Sequence, residues 1–130
     1  MGMITYYELV EDGNPAREGF DIDKSYFELS EGLKRLGLNG LYIVSGDDGS
    51  YAAEADDQYE VELSPAAVAK NWEKLREVTF EQFLAAYKET DIGKSRRDEP
   101  YDYIKAHFTT LKLMYETAAG GAAGIKIGMC

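Results

Sequence analysis

The sequence predicts an α/β or α+β layered domain, with about four strands in the middle and about four helices packed on them. Three observations predict it. Gln58 to Leu63 and Ile125 to Met129 alternate in the two-residue rhythm of a strand. Tyr101, Ile104, Phe108, Leu111, Tyr115 and Ala118 recur at steps of 3 and 4, the stripe of a long helix. The 130 residues are 45% hydrophobic and 29% charged, the balance of one ordinary globular domain spanning the whole chain, 1–130.

Taken in order, Met3 to Val10 reads as a strand rich in Ile and Tyr, ended by the loop signal Glu11-Asp12-Gly13-Asn14-Pro15. Asp23 or Ser25 caps a helix over about Tyr26 to Leu36, with Tyr26, Leu29, Leu33 and Leu36 facing the core and Gly37 as its stop. Leu41-Tyr42-Ile43-Val44 is a short apolar run that reads as a buried strand, and Gly46 to Ser50 as a turn. In Gln58 to Leu63, Tyr59, Val61 and Leu63 face one way and Glu60 and Glu62 the other. Ser64-Pro65 then opens a helix, with a capping Ser, Pro at the first helical position, and Val68, Trp72 and Leu75 as its stripe. Thr79 and Gln82 form a capping-box pair for the next helix, which turns Phe83, Leu84 and Tyr87 inward. Asp91 to Asp98 is a polar loop. Asp98 caps the last helix, Pro100 sits in its first turn, Gly120-Gly121 ends it, and a short final strand follows.

Composition excludes several functions. The formal net charge is -10 and the pI near 4.5, which argues against nucleic acid as a partner, since that needs surplus Lys and Arg. One Cys and one His make neither an intrachain disulfide nor a Cys/His zinc site. No cofactor or metal is expected. The first residues lack a signal-peptide pattern, and no apolar run approaches a bilayer span, so a cytoplasmic protein off the membrane is expected. The acidity is lopsided. Residues 1–62 carry 15 acids and 4 bases, and residues 63–130 carry 9 acids and 10 bases.

Three stretches carry a family resemblance. They are Met1-Gly2-Met3-Ile4 followed by aromatics, Leu63-Ser64-Pro65-Ala66-Ala67-Val68-Ala69, and Tyr101 to Ile127 with its HFxxLKxxYxxAA helix, small-residue turn and apolar final strand. Together they resemble the YfbM-like bacterial proteins, a family of unknown function. The resemblance covers the N-terminus and about the last seventy residues and thins over residues 8–57. The chain is also shorter than those proteins, which makes a trimmed or diverged middle an expectation. The resemblance implies a single cytoplasmic α/β domain in layers, brings no established activity, and transfers no functional residue. Whether the chain is an enzyme stays open.

Two candidate sites follow from the residues. His107 is the lone histidine, a residue type suited to a general base or a ligand contact. Arg96-Arg97 is the compact basic cluster, and it leads into the start of the last helix, where anions are favoured. With Tyr101 and Tyr103 these residues form a candidate site for an anionic small molecule. Against it, His107 has no sequence-local orienting partner, and Ile92-Gly93-Lys94-Ser95 lacks the upstream Gly and strand of a phosphate loop. The second candidate is acidic. Asp47, Asp48, Asp56, Asp57, Glu60 and Glu62 fail the calcium-loop spacing but suit a face for a basic protein partner. Glu60 and Glu62 serve equally to deter edge pairing of a strand. Of the ten Tyr, Tyr6 or Tyr7, Tyr42, Tyr51 and Tyr103 are left for a pocket or a dimer face, and oligomeric state is open. Cys130, the last residue, reads as a frayed terminal thiol. The sequence thus ranks an acidic interaction protein first and an anionic-metabolite binder or enzyme second.

Overall fold

In a computed structural model, which describes residues 4–11, 14–47 and 59–129, one sheet of four strands carries a layer of six helices. The order is β1 (Thr5–Glu11), β2 (Asn14–Asp21), α1 (Tyr26–Arg35), α2 (Gly40–Ser45), β3 (Tyr59–Leu63), α3 (Pro65–Leu75), α4 (Phe80–Lys88), α5 (Asp91–Ser95), α6 (Asp102–Gly120) and β4 (Gly124–Met129). All pairings are antiparallel and the strand order is β2-β1-β4-β3. The fold is α+β, within the class the sequence predicts.

Alternation decides which face of the sheet is covered. Tyr7, Leu9, Leu63, Ile125 and Ile127 are buried on one face, where α3 and α6 meet the strands. The other face presents Tyr6, Glu8, Glu60, Glu62 and Lys126. Tyr6 lies directly across from Gly128, and its ring fills the space a Cβ there would need. The core behind the covered face is one cluster that runs from the strands through α1, α3, α4 and α6. Phe83 is at its centre, stacked on Phe108 with ring centroids 4.7 Å apart.

Several elements differ from the sequence reading. Asn14-Pro15, read as loop, begins β2. That strand is at the sheet edge, the place in a sheet where Pro is tolerated. Leu41 to Val44 is helix, not strand. Asp91 to Ser95 forms a single helical turn capped by the Thr90 hydroxyl, which accepts the Gly93 N–H at 3.0 Å. The last helix starts at Asp102, with Tyr101 rather than Asp98 at the N-cap position. Ser25 does precede α1, but its hydroxyl donates back to the Ile22 carbonyl instead of capping. Asn71 takes the buried slot of the α3 stripe and Trp72 is half-buried, while Leu36, expected inside, is exposed. The Ser64 cap, the Thr79/Gln82 capping box and the long α6 stripe form as read.

The helical state of α2 has a visible cause. The last carbonyls of a helix lack intrahelical donors. Here the Tyr115 hydroxyl donates to the Ile43 carbonyl and the Tyr7 hydroxyl to the Val44 carbonyl, each at 2.6 Å. Gly46, with φ at 75°, turns the chain away in the left-handed conformation.

Candidate functional site

A cleft of about 420 Å³ opens where the start of α6 meets α1, α4 and the end of α5. Its walls are Lys24, Glu28, Tyr87, Arg96, Glu99, Pro100, Tyr101, Tyr103 and Ile104. Local chemistry positions the Arg96 wall. The Thr90 cap and a glycine at 93, whose Cβ would strike the Tyr87 carbonyl, dock α5 tightly on the end of α4. That docking sets where Arg96, the residue closing α5, stands.

The central contact is an ion pair. Arg96 Nη1 donates to Glu28 Oε2 at 2.9 Å. The Glu28 side chain is 5% exposed and that of Arg96 44%, so a buried carboxylate orients a half-open guanidinium. Among the described residues the guanidinium makes no other hydrogen bond, which leaves most of its five donors for a ligand.

Tyrosines supply the rest. The Tyr103 hydroxyl donates to Asp23 Oδ2 at 2.9 Å and accepts the Lys24 N–H at 3.1 Å, which ties α6 to the turn before α1. Burial, then the bond to Asp23, raise its pKa above the ordinary tyrosine value. Tyr87 is raised as well, first by burial and then by the Glu28 carboxylate. Its ring meets Tyr101 edge-on, and Lys88 Nζ sits 5.2 Å from the Tyr101 ring centre. With Lys24 and Arg96 against Glu28 and Glu99, the cleft is charge-balanced, aromatic and polar.

Of the five residues expected in an anion site, Arg96, Tyr101 and Tyr103 line this cleft. Arg97 is exposed and lies outside its walls. His107 is one turn along α6, edge-on against the Tyr103 ring at 4.5 Å, so it backs the wall instead of lining it. Its Nδ1 is buried and, among the described residues, has no hydrogen-bond partner. The sequence marks none of Lys24, Glu28 and Glu99, and it turns Tyr87 toward the core, where its ring also lines the cleft. Glu28 lies off the apolar stripe of α1 and 68 residues from Arg96, so no local pattern marks it.

The acidic candidates are only partly described. Asp48, Asp56, Asp57, Tyr51 and Cys130 lie outside the described residues. Glu60 and Glu62 are exposed on the open sheet face, where Lys126 Nζ approaches Glu60 at 3.4 Å, and Asp47 is half-buried after α2. Of the other first-half acids, Glu28 is spent on Arg96, Asp23 on Tyr103 and Glu31 on Lys34. Among the described residues no group of three His, Cys, Asp or Glu could hold a metal ion, and no helix is long and apolar enough to cross a membrane.

No protein-family model and no curated protein matches the chain. Among solved structures it is similar to the crystal structure of YfbM from Escherichia coli, a protein of unknown function, with a TM-score of 0.65 and 13% identity. The likeness covers 98% of this chain and 99% of that one. The chain therefore has a YfbM-like fold, one that carries no assigned activity with it.

Proposed function

We propose that the cleft at the start of α6 binds a small metabolite carrying a carboxylate or phosphate, with Arg96 and Lys24 as its anion contacts and Tyr87, Tyr101 and Tyr103 as its walls. One observation carries the reading. A nearly buried carboxylate, Glu28, holds a half-open guanidinium at the mouth of a cleft of about 420 Å³, within the range of roughly 300–1,000 Å³ of small-molecule sites. Pre-oriented in this way, Arg96 loses little side-chain freedom when an anion arrives. The reading is one of binding and assigns no reaction. We take the protein to work in a bacterial cytoplasm, a setting supported by its lone Cys and by the fold it shares with an Escherichia coli protein.

A thermal-shift screen of carboxylated and phosphorylated metabolites tests it. A ligand at about a hundred times its dissociation constant stabilises by about 2.7 kcal/mol, on the order of 10 °C for a domain of this size. The shift is expected to vanish in Arg96→Gln and to persist in Arg97→Gln.

A second reading, recognition of a basic protein, is favoured by the open sheet face, where Lys126 stands among Glu8, Glu60 and Glu62. Charge reversal at Glu60 and Glu62 would then abolish a salt-sensitive association. It ranks second because, among the described residues, several first-half acids are engaged within the fold.

A further inference from the structure

A second cleft, of about 480 Å³, lies between α2 and α3. Its floor is apolar, built from Leu38, Ile43 and Ala67 beside the Tyr42 ring. Its rim carries Lys70 and Lys74. Four residues apart on α3, these ammonium groups share one side of the helix, and both are exposed. Neither makes an ion pair among the described residues, in a chain whose net charge is -10. Like charges at this spacing repel, and an anion seated between them removes the repulsion.

The walls are fixed in advance. Asn71 Nδ2 donates to the Tyr115 hydroxyl at 3.2 Å, and that hydroxyl donates to the Ile43 carbonyl at 2.6 Å. One buried tyrosine of α6 thus ties the α3 wall to the α2 wall. A cleft held open by a buried hydrogen-bond chain binds without reordering its lining.

We propose that this cleft is a second binding site, for an amphipathic anion: a short hydrocarbon body on the Leu38–Ile43–Ala67 floor and a carboxylate or phosphate head between Lys70 and Lys74. Isothermal titration of the full chain tests it, with octanoate and octyl phosphate as probes and acetate and octanol as controls. At least one amphipathic anion is expected to bind saturably, and the tighter of the two identifies the head group. Acetate, which lacks the body, and octanol, which lacks the charge, are each expected to bind at least about tenfold more weakly, the scale of one charged hydrogen bond. Lys70→Gln with Lys74→Gln should weaken the anion by a similar factor, and Ala67→Leu should fill the floor and abolish binding; none of these residues lines the first cleft, which separates the two sites. Absence of saturable binding by both anions overturns the proposal. So does octanol binding as tightly as the anions, or affinity that survives the double lysine substitution.

Discussion

Glu28 and Arg96, 68 residues apart in the chain, meet at 2.9 Å, and the carboxylate that arrives there is almost wholly buried. Removing either partner is not symmetric. Arg96→Ala leaves a buried carboxylate without its cation and is expected to destabilise by about 1–3 kcal/mol, a range kept below that of fully buried pairs because the guanidinium is half in water. Glu28→Gln, which keeps shape and a hydrogen-bonding oxygen, should be milder. Urea denaturation of both single variants and the double gives the coupling, and strict additivity would show that the pair is not energetically linked.

The two tyrosine hydroxyls that meet α2 should matter more than their size suggests. Tyr115→Phe strands the Ile43 carbonyl and the Asn71 amide, and Tyr7→Phe strands the Val44 carbonyl. Each is expected to lower stability by about 1–3 kcal/mol. Amide exchange at Ile43 to Gly46 should quicken in both variants while α4 is unaffected. Exchange in α2 as slow as in the parent protein would contradict the account.

Alkaline pH should act through the same groups. Burial raises the pKa of Tyr7 and Tyr115 above the ordinary tyrosine value, so the folded state keeps protons that the unfolded chain loses first. Their contribution is complete below about pH 10, the unfolded value, and is lost as pH climbs toward the folded ones. Urea midpoints should therefore fall from about pH 10 upward, with a shallower fall in Tyr7→Phe.

The end of α6 carries an uncommon residue. Ala122 holds φ at 51°, in the left-handed position that glycine favours, while its N–H bonds the Ala119 carbonyl and the Ala123 N–H bonds that of Ala118. Gly120 and Gly121 just precede it and do not take that role. Ala122→Gly is expected to raise stability by about 1 kcal/mol, read as a higher urea midpoint at unchanged slope. The equivalent stop after α1 already has a glycine, Gly37, with φ at 89°.

These elements show what could be read in advance. Caps and stripes are local chemistry, so Ser64, Thr79 with Gln82, and the α6 stripe were legible. The state of Leu41 to Val44 is decided by hydroxyls 37 and 72 residues away, where no window of sequence reaches. β2 hides because edge position, which tolerates Pro15, is a property of the whole sheet. At the first cleft, Arg96, Tyr101 and Tyr103 were legible as a basic cluster beside aromatics at a helix start. Glu28, Lys24 and Tyr87 were not, since only the docking of α1 and α4 brings them there.

Arg96, held by Glu28, is the proposed anion contact of a small-molecule site. Isothermal titration of the strongest thermal-shift hit against wild type, Arg96→Lys and Arg97→Gln tests it most directly. Wild-type affinity is expected in Arg97→Gln and a loss of at least about tenfold in Arg96→Lys, whose single ammonium cannot serve Glu28 and a ligand with the same fork of donors. Equal affinity in all three proteins, or a larger loss in Arg97→Gln than in Arg96→Lys, would contradict it.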